Sequence, residues 1–313
     1  MSEKFVIGSR GSDLALWQAN YVKTSLEVLF PEHQFVITVI HTTGDEVVDT
    51  ALSKIGDKGL FTKQIEDGLL NGSIDMAVHS LKDLQTTQPD GLTIGAVCKR
   101  ETPNDVFLSK NSGTIDDLAP GAAVATGSLR RRSQLLHYRP DLQIHEVRGN
   151  VPTRIKKFDE SQLDGMILAY AGIHRLGLDD RISQVVPPEI MLPAVGQGAV
   201  AVEIRSHDEH TARVVERLDD KATRLSVTAE RSLLRRLEGG CQVPIGALAT
   251  LKGDVLTLEG MVGSLDGRIV YRKAIDGPSG EAEALGNRLA DSLIEMGARE
   301  LLEATREQVA VTL

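Results

Sequence analysis

Short apolar runs of five or six residues alternate with stretches of helical periodicity twice along this chain, which restricts it to α/β architectures with strands side by side beneath covering helices. KFVIGS at 4–9 reads as a buried strand. Ser12 then opens a helix whose apolar positions are Leu14, Leu16, Trp17, Ala19, Val22 and Leu26. QFVITVI at 34–40 is a strand, residues 60–70 a helix, DMAVH at 75–79 a strand and LTIGAVC at 92–98 another. Strands separated by helices predict a mostly parallel sheet. After a turn at ETPND (101–105) a second block repeats the pattern: strand 122–126, helix from Leu129, strand 143–147, helix from Val151, strand 165–169 and a helix through Leu176. GQGAVAVEIR at 196–205 is a further strand, placed to cross back to the first block. Two α/β lobes with crossing segments imply a cleft.

From Asp219 the pattern changes. A helix with Leu225, Ala229, Leu233 and Leu237 on its apolar face stops at Gly239-Gly240, as helices do at a C-terminal glycine. Residues 247–252, 255–262 and 268–274 then read as an antiparallel meander with Asp266-Gly267 as its hairpin turn, and Leu285, Leu289, Leu293 and Met296 return to helical spacing. The expected organisation is an α/β domain of 1–100 plus 195–217, a second α/β domain of 101–194, and a smaller α+β domain of 218–313. Residues 44–59, rich in Gly and charge and without periodicity, read as a mobile loop of the kind that covers sites.

Composition narrows the partners. A net charge of -9, from 35 Lys+Arg against 44 Asp+Glu, gives no basic footprint for nucleic acid, and 4% aromatic residues leave little for base stacking. No run of eighteen apolar residues would cross a membrane, and the opening MSEKFVIGSR has no apolar signal region. Two cysteines, Cys98 and Cys241, cannot make a disulfide framework or complete a zinc site, so a reducing, cytoplasmic setting and no metal are expected.

Against that acidic background, residues 130–157 hold eight Lys/Arg against Asp141 and Glu146, a net +6. TGSLRR (126–131) places guanidinium groups and helix N-terminal N–H groups at the C-terminal end of a parallel strand, where open α/β sheets bind ligands. RGNVPTR (148–154) repeats that geometry, and Arg10 supplies the same element in the first lobe. Arginine pairs bidentately with carboxylate or phosphate, which points to a small polyanionic ligand between the lobes. The competing reading is a solvated helix face, and it suits Arg132 and Arg139 individually.

AVHSLKD (77–83) begins as a strand and sets His79, Lys82 and Asp83 at or beyond its end. Asp83 is readable as a general acid/base, as a partner for a developing cation, or as an N-cap; His79, beside Val78, reads as a core histidine. Cys241 follows a helix C-terminus, where the dipole opposes thiolate formation, so it reads either as structural or as an attachment point on a glycine-hinged loop. Cys98, ending an apolar strand, reads as core.

SRGSDLALWQA (9–19), KGLFTKQIE (58–66), AVHSLKD (77–83), TGSLRRRSQL (126–135), VRGNVPTR (147–154), LPAVGQGAVAVE (192–203) and LEGGCQVPIG (237–246) follow one another from about residue 4 to the C-terminus. Together they closely resemble the porphobilinogen deaminase, or hydroxymethylbilane synthase, family. The resemblance implies two lobes like those of periplasmic binding proteins and a third domain whose cysteine holds a dipyrromethane cofactor through a thioether, with Cys241 at that position. It implies a transferase of tetrapyrrole and heme biosynthesis that condenses four porphobilinogen molecules head to tail, releases ammonia, and frees linear hydroxymethylbilane. By residue-wise match, Arg10, Ser12, Lys82, Ser128, Arg130, Arg131, Arg148 and Arg154 would bind the acetate and propionate groups. Asp83 would be the catalytic carboxylate, bonding pyrrole N–H groups and stabilising the cationic azafulvene formed as ammonia leaves. Lys54 and Lys58 would belong to the lid, and the protein would act as a monomer without nucleic acid or membrane. The family often has Val-Pro where this chain has Leu84-Gln85, Ser-Ser where it has Gly127-Ser128, and a basic residue before Gly44-Asp45. The rival classes are a non-enzymatic anion binder and an acyl-transfer enzyme using Cys241.

Overall fold

The computed structural model describes residues 2–42, 44, 62–111, 113–237 and 243–311. It divides into two compact units, Met1–Glu101 with Ala199–Arg224, and Thr102–Gly198 with Leu225–Leu313.

In the first unit β1 (Lys4–Ser9), β2 (Gln34–Val39), β3 (Met76–Ser80), β4 (Leu92–Val97) and β10 (Val200–Arg205) form one sheet in the order β2-β1-β3-β10-β4. β1 is parallel to β2 and β3, as the strand–helix alternation predicts. β10 is antiparallel to both β3 and β4, so four of the five strands run one way, as expected of a mostly parallel sheet, and β10 runs against them. It follows a long excursion of the chain and not a covering helix, so the crossover that imposes parallel pairing does not apply to it. Helix α1 (Asp13–Leu29) starts where expected, with the Ser12 Oγ accepting the Ala15 N–H at 3.4 Å. It packs Ala19, Val22 and Leu26 on Phe5, Ile7, Met76 and Val78, joined by Val214 and Val215 at the end of α6 (Glu209–Val215). Helix α2 (Lys63–Leu70) covers the opposite face, setting Ile65 and Leu69 against Ile74, Ala77 and Leu92. Neighbouring Ala77 and Val78 thus serve opposite faces, the two-residue period of a strand.

The second unit repeats the plan. Strands β5 (Asp105–Ser109), β6 (Ala123–Ala125), β7 (Gln143–His145), β8 (Gly165–Ala169) and β9 (Gln184–Val185) lie in the order β7-β6-β8-β5-β9. β6 is parallel to β7 and β8, while β5 runs antiparallel to β8 and β9. The expected turn at 101–105 therefore ends inside an unforeseen strand. Val106, Phe107 and Leu108 are all buried to 1% exposure or less, so β5 has no polar face and shows no alternation. Burying a side chain such as Phe107 contributes roughly 1.5–3 kcal/mol. Helix α3 (Leu129–Tyr138) adds Leu135 to Phe107, Val124 and Ile167 on one face. On the other, Ile155 and Phe158 of α4 (Val151–Glu160) and Ile173 of α5 (Tyr170–Arg175) meet Val106, Leu108, Met166 and Leu168.

The C-terminal part is the expected meander, β11 (Ile245–Lys252), β12 (Val255–Gly263) and β13 (Val270–Pro278), paired antiparallel in that order. Helices α7 (Lys221–Arg236), α8 (Ala282–Glu295) and α9 (Ala298–Val311) accompany it, the last unforeseen. Ala229, Leu233, Leu256, Leu258, Leu285, Leu289 and Leu293 belong to a core separate from those around β5–β9.

Candidate active site

In the first unit the parallel strands β1 and β3 end at the same sheet edge, and each hands over to candidate site residues. Arg10 follows β1 and is half-buried, and Ser12 caps α1 two residues on. β3 passes into a single 3-10 turn, Leu81–Asp83, held in place by the buried side chains of Leu81 and Leu84 and by the Leu81 N–H donated to the Ala199 carbonyl at 3.0 Å. Gln18 on α1 donates from Nε2 to the Ser80 Oγ at 2.8 Å, fixing the strand end against the helix. On that rigid base Lys82 is half-buried and Asp83 is exposed, with no hydrogen bond or ion pair to the described residues. Asp83 is not an N-cap, since no helix starts there; a carboxylate carried by a pinned turn is available to a ligand.

His79, just before this turn, is buried at 5% exposure, as expected of a core histidine. Its Nε2 lies 3.3 Å from Oε2 of the fully buried Glu203 on β10 without hydrogen-bond alignment, and both Glu203 oxygens lack a partner among the described residues. Glu66 on α2 completes an acid-rich cluster. Burial pushes its carboxyl above the ordinary range, with Glu203 adding to the effect and Thr62 and His79 opposing it.

In the second unit β6 and β7 end together and lead into α3 and α4. Ser128 caps α3, accepting the Arg131 N–H at 3.4 Å, and Asn150 caps α4, accepting the Thr153 N–H at 2.9 Å. The turn into α4 requires glycine: Gly149 has φ +117, and a Cβ there would stand 2.7 Å from Thr153 Cγ2. Arg148 bonds Glu146 through Nε at 2.9 Å, and Arg154 donates from Nε to the Gly149 carbonyl at 2.7 Å. Both are half-buried at this edge.

Arg130 and Arg131 differ from the expected open cluster. They are 4% and 6% exposed and converge on Asp105, which is fully buried at the start of β5. Arg130 Nη1 reaches Asp105 Oδ2 at 2.7 Å and the Leu192 carbonyl at 2.6 Å. Arg131 bonds Asp105 Oδ1 through Nε (3.1 Å) and Nη2 (2.8 Å), and the Ile167 carbonyl through Nη1 at 3.2 Å. Burial alone would raise the Asp105 pKa; the two guanidinium groups overcome it and hold the carboxyl far below the usual carboxylate range. Nε and Nη2 of Arg130 make no hydrogen bond with the described residues, so one edge of an anchored guanidinium is left to offer. Arg132 is exposed, as read, but Arg139 is not a plain surface residue. It ties Asp141 to the carbonyls of Ile115 and Leu118 at 2.9 and 3.1 Å.

Sequence reasoning missed Asp105, Gln197, which donates to Asp105 Oδ1 at 2.9 Å, and the buried Arg175, whose Nη2 donates to the Gly198 carbonyl at 2.7 Å. The available signal was a charged residue opening an apolar run, DVFLS, where burial demands a partner. Cys98 is buried at 1% exposure in the core of the first unit, as read. Cys241, Lys54, Lys58 and the stretch 45–61 lie outside the described residues.

Residues 5–213 match the model of the family "Porphobilinogen deaminase, dipyromethane cofactor binding domain", and residues 224–295 match "Porphobilinogen deaminase, C-terminal domain". The porphobilinogen deaminase of Pelotomaculum thermopropionicum is 52% identical over 308 residues, covering 98% of this chain and 99% of its own. That of Desulforudis audaxviator is 51% identical over 306 residues, covering 98% and 99%. Among solved structures, a probable amino-acid ABC transporter extracellular-binding protein of Bacillus subtilis aligns with a TM-score of 0.43 and 11% identity, over 70% of this chain and 90% of that one.

Proposed function

The chain belongs to the porphobilinogen deaminase family, and from that premise we propose that it condenses four porphobilinogen molecules head to tail on a dipyrromethane held through Cys241, releasing ammonia and hydroxymethylbilane. It is a transferase of tetrapyrrole and heme biosynthesis. Support for the cofactor comes from the donor set: Arg148, Arg154, Ser128 and the open edge of Arg130 are groups that bond carboxylates, and each pyrrole of dipyrromethane carries two. When bound, the cofactor supplies the primer on which the chain grows.

The observation that carries the chemistry is Asp83, exposed on a turn pinned by Leu81 and Leu84. A carboxylate fixed this way needs no reorganisation to accept pyrrole N–H bonds or to stabilise the cation left when ammonia departs. Lys82, Arg10 and Ser12 would hold substrate carboxylates in the first unit; Arg131 would keep the second-unit donors in place while contributing its own charge. Lys54 and Lys58 would act from the lid. We read the second unit as two domains, 101–194 and 218–313, because the meander has its own core, and the first as 1–100 with 195–217. We place the enzyme in the cytoplasm as a monomer, consistent with a chain of only two cysteines. No helix among the described residues is long and apolar enough to cross a membrane.

Intact mass of the purified protein tests this reading. A two-pyrrole adduct should be present in wild type and in Cys98→Ser and absent from Cys241→Ser, which should be folded and inactive, because a serine oxygen is a far weaker nucleophile than a thiol. An unmodified wild-type chain, or an adduct that survives Cys241→Ser, would overturn it.

A further inference from the structure

Consecutive residues on a helix point in different directions, yet Arg130 and Arg131 in the first turn of α3 both close on the one carboxylate of Asp105. The arrangement buries two cations and one anion at 0–6% exposure, leaving a surplus of one positive charge. Stability does not demand such a cluster, since apolar side chains of similar volume serve a core equally well. What the cluster does provide is direction: every bond to Asp105 removes rotational freedom from a long, flexible side chain.

The same cluster is wired to the C-terminal meander by residues 192–197. The Leu192 carbonyl accepts both Arg130 Nη1 and Gln134 Nε2 (3.1 Å), and the Leu192 N–H is donated to Gln134 Oε1 at 2.8 Å. One residue on, the Pro193 carbonyl accepts the Ala247 N–H of β11 at 3.0 Å. The Gly196 N–H goes to the fully buried Glu230, whose other oxygen accepts the Ala249 N–H of β11 at 2.9 Å. Gln197 closes the circuit by donating to Asp105 Oδ1 and to the Pro103 carbonyl at 2.7 Å. The fit against β11 is backbone-close: a Cβ on Gly246 would stand 3.0 Å from both the carbonyl oxygen and the Cβ of Leu192. Ile245, where β11 begins, is four residues after Cys241.

We propose that Asp105 is a positioning residue which sets the direction and the net charge of the Arg130–Arg131 pair and, through residues 192–197, holds that pair in register with β11. This rests on the reading of Arg130 as a carboxylate-binding group, of Arg131 as the neighbour that adds its charge, and of Cys241 as the attachment point. Asp105 itself touches no substrate; its carboxylate is consumed by Arg130, Arg131 and Gln197.

Three variants of the full chain test it by the fraction of purified protein that carries the two-pyrrole adduct, by KM and kcat for porphobilinogen, and by Tm. Asp105→Asn raises the surplus to two charges and turns an amide donor on the arginines; the adduct fraction should fall at least about tenfold. Asp105→Glu keeps the charge but moves the carboxylate by a methylene; adduct should still form, with KM raised about tenfold and kcat within about twofold of wild type. Gln197→Met keeps all three charges, removes one donor to Asp105, and is the variant to rely on if the first two fail to fold; its KM should rise about threefold. A merely structural Asp105 would lower Tm while leaving the adduct fraction and KM of the folded protein unchanged, and that result overturns the proposal. Absence of adduct from wild type would instead overturn the functional reading beneath it.

Discussion

The two five-stranded sheets share one pattern of pairing, two parallel contacts followed by two antiparallel ones, and each sets a buried carboxylate on its inner antiparallel strand, Glu203 on β10 and Asp105 on β5, but the company of the two acids is opposite. Asp105 lies opposite Ala169 and is clasped by two arginines. Glu203 lies opposite Ala77, facing His79 and a second acid, Glu66, with no hydrogen-bond partner among the described residues. One backbone plan thus supports a cation-rich hub in one unit and an acid-rich one in the other. The difference teaches that the sign of the charge buried in each unit is not a property of the sheet plan as such. It depends on which residues the antiparallel strand brings under the helices.

The largest expected effect separates the exposed carboxylate from both buried ones. Asp83→Asn keeps shape and an acceptor but loses the charge, so single-turnover ammonia release by adduct-bearing protein should fall about 100- to 1000-fold. A near wild-type rate would return Asp83 to a structural role and break the contrast between the acids. Next come the half-buried arginines of the second unit. Arg148→Leu or Arg154→Leu should lower a binding step at least about tenfold, read as KM or as adduct fraction, because bonds to charged groups are lost. Arg139→Leu sharpens that result from the other side: it should lower Tm by several degrees, since the Ile115 and Leu118 carbonyls lose their donor, while KM stays at the wild-type value. Equal damage to KM would show that position along the basic segment, and not placement at the strand ends, decides ligand contact.

The smallest effect is a pair of opposite pH slopes. Asp105, held below its unfolded pKa, contributes stability above the ordinary carboxylate range and loses it as pH falls through and below that range. Glu66, raised above its ordinary 4.5, contributes most below that value and loses it as pH rises through the raised pKa. Glu66→Gln should therefore raise Tm at pH 7 and leave it unchanged below the ordinary carboxylate range. A Glu66→Gln profile that runs parallel to wild type across this range would remove the electrostatic half of the comparison.

Much of the molecule was legible from residue order because its signals are local. Ser12 caps the helix that its position announces, α3 and α4 begin at Leu129 and Val151 as read, and the period of Leu, Val and Ala residues places α1 and α8 to within a few residues. The turn at Asp266-Gly267 sits in the expected hairpin, with Gly267 at φ +71. β5 escaped because a strand buried on both faces has no alternation to read, and β10 was seen as a strand but not as an antiparallel one.

The basic segment shows where local reading ends. Its charge count, its helix starts and the resemblance of its motifs were in the sequence alone, and so were the family and the roles proposed for Asp83 and Cys241. Which of its arginines face a ligand was not, because the answer depends on Asp105, 25 residues earlier on a strand whose direction no local pattern reveals. The same holds for His79 and Glu203, brought within 3.3 Å by a pairing between strands that are remote in sequence. Short-range geometry follows from neighbours along the chain; the environment of a buried charge follows from whatever the tertiary fold packs around it, and only the structure records that.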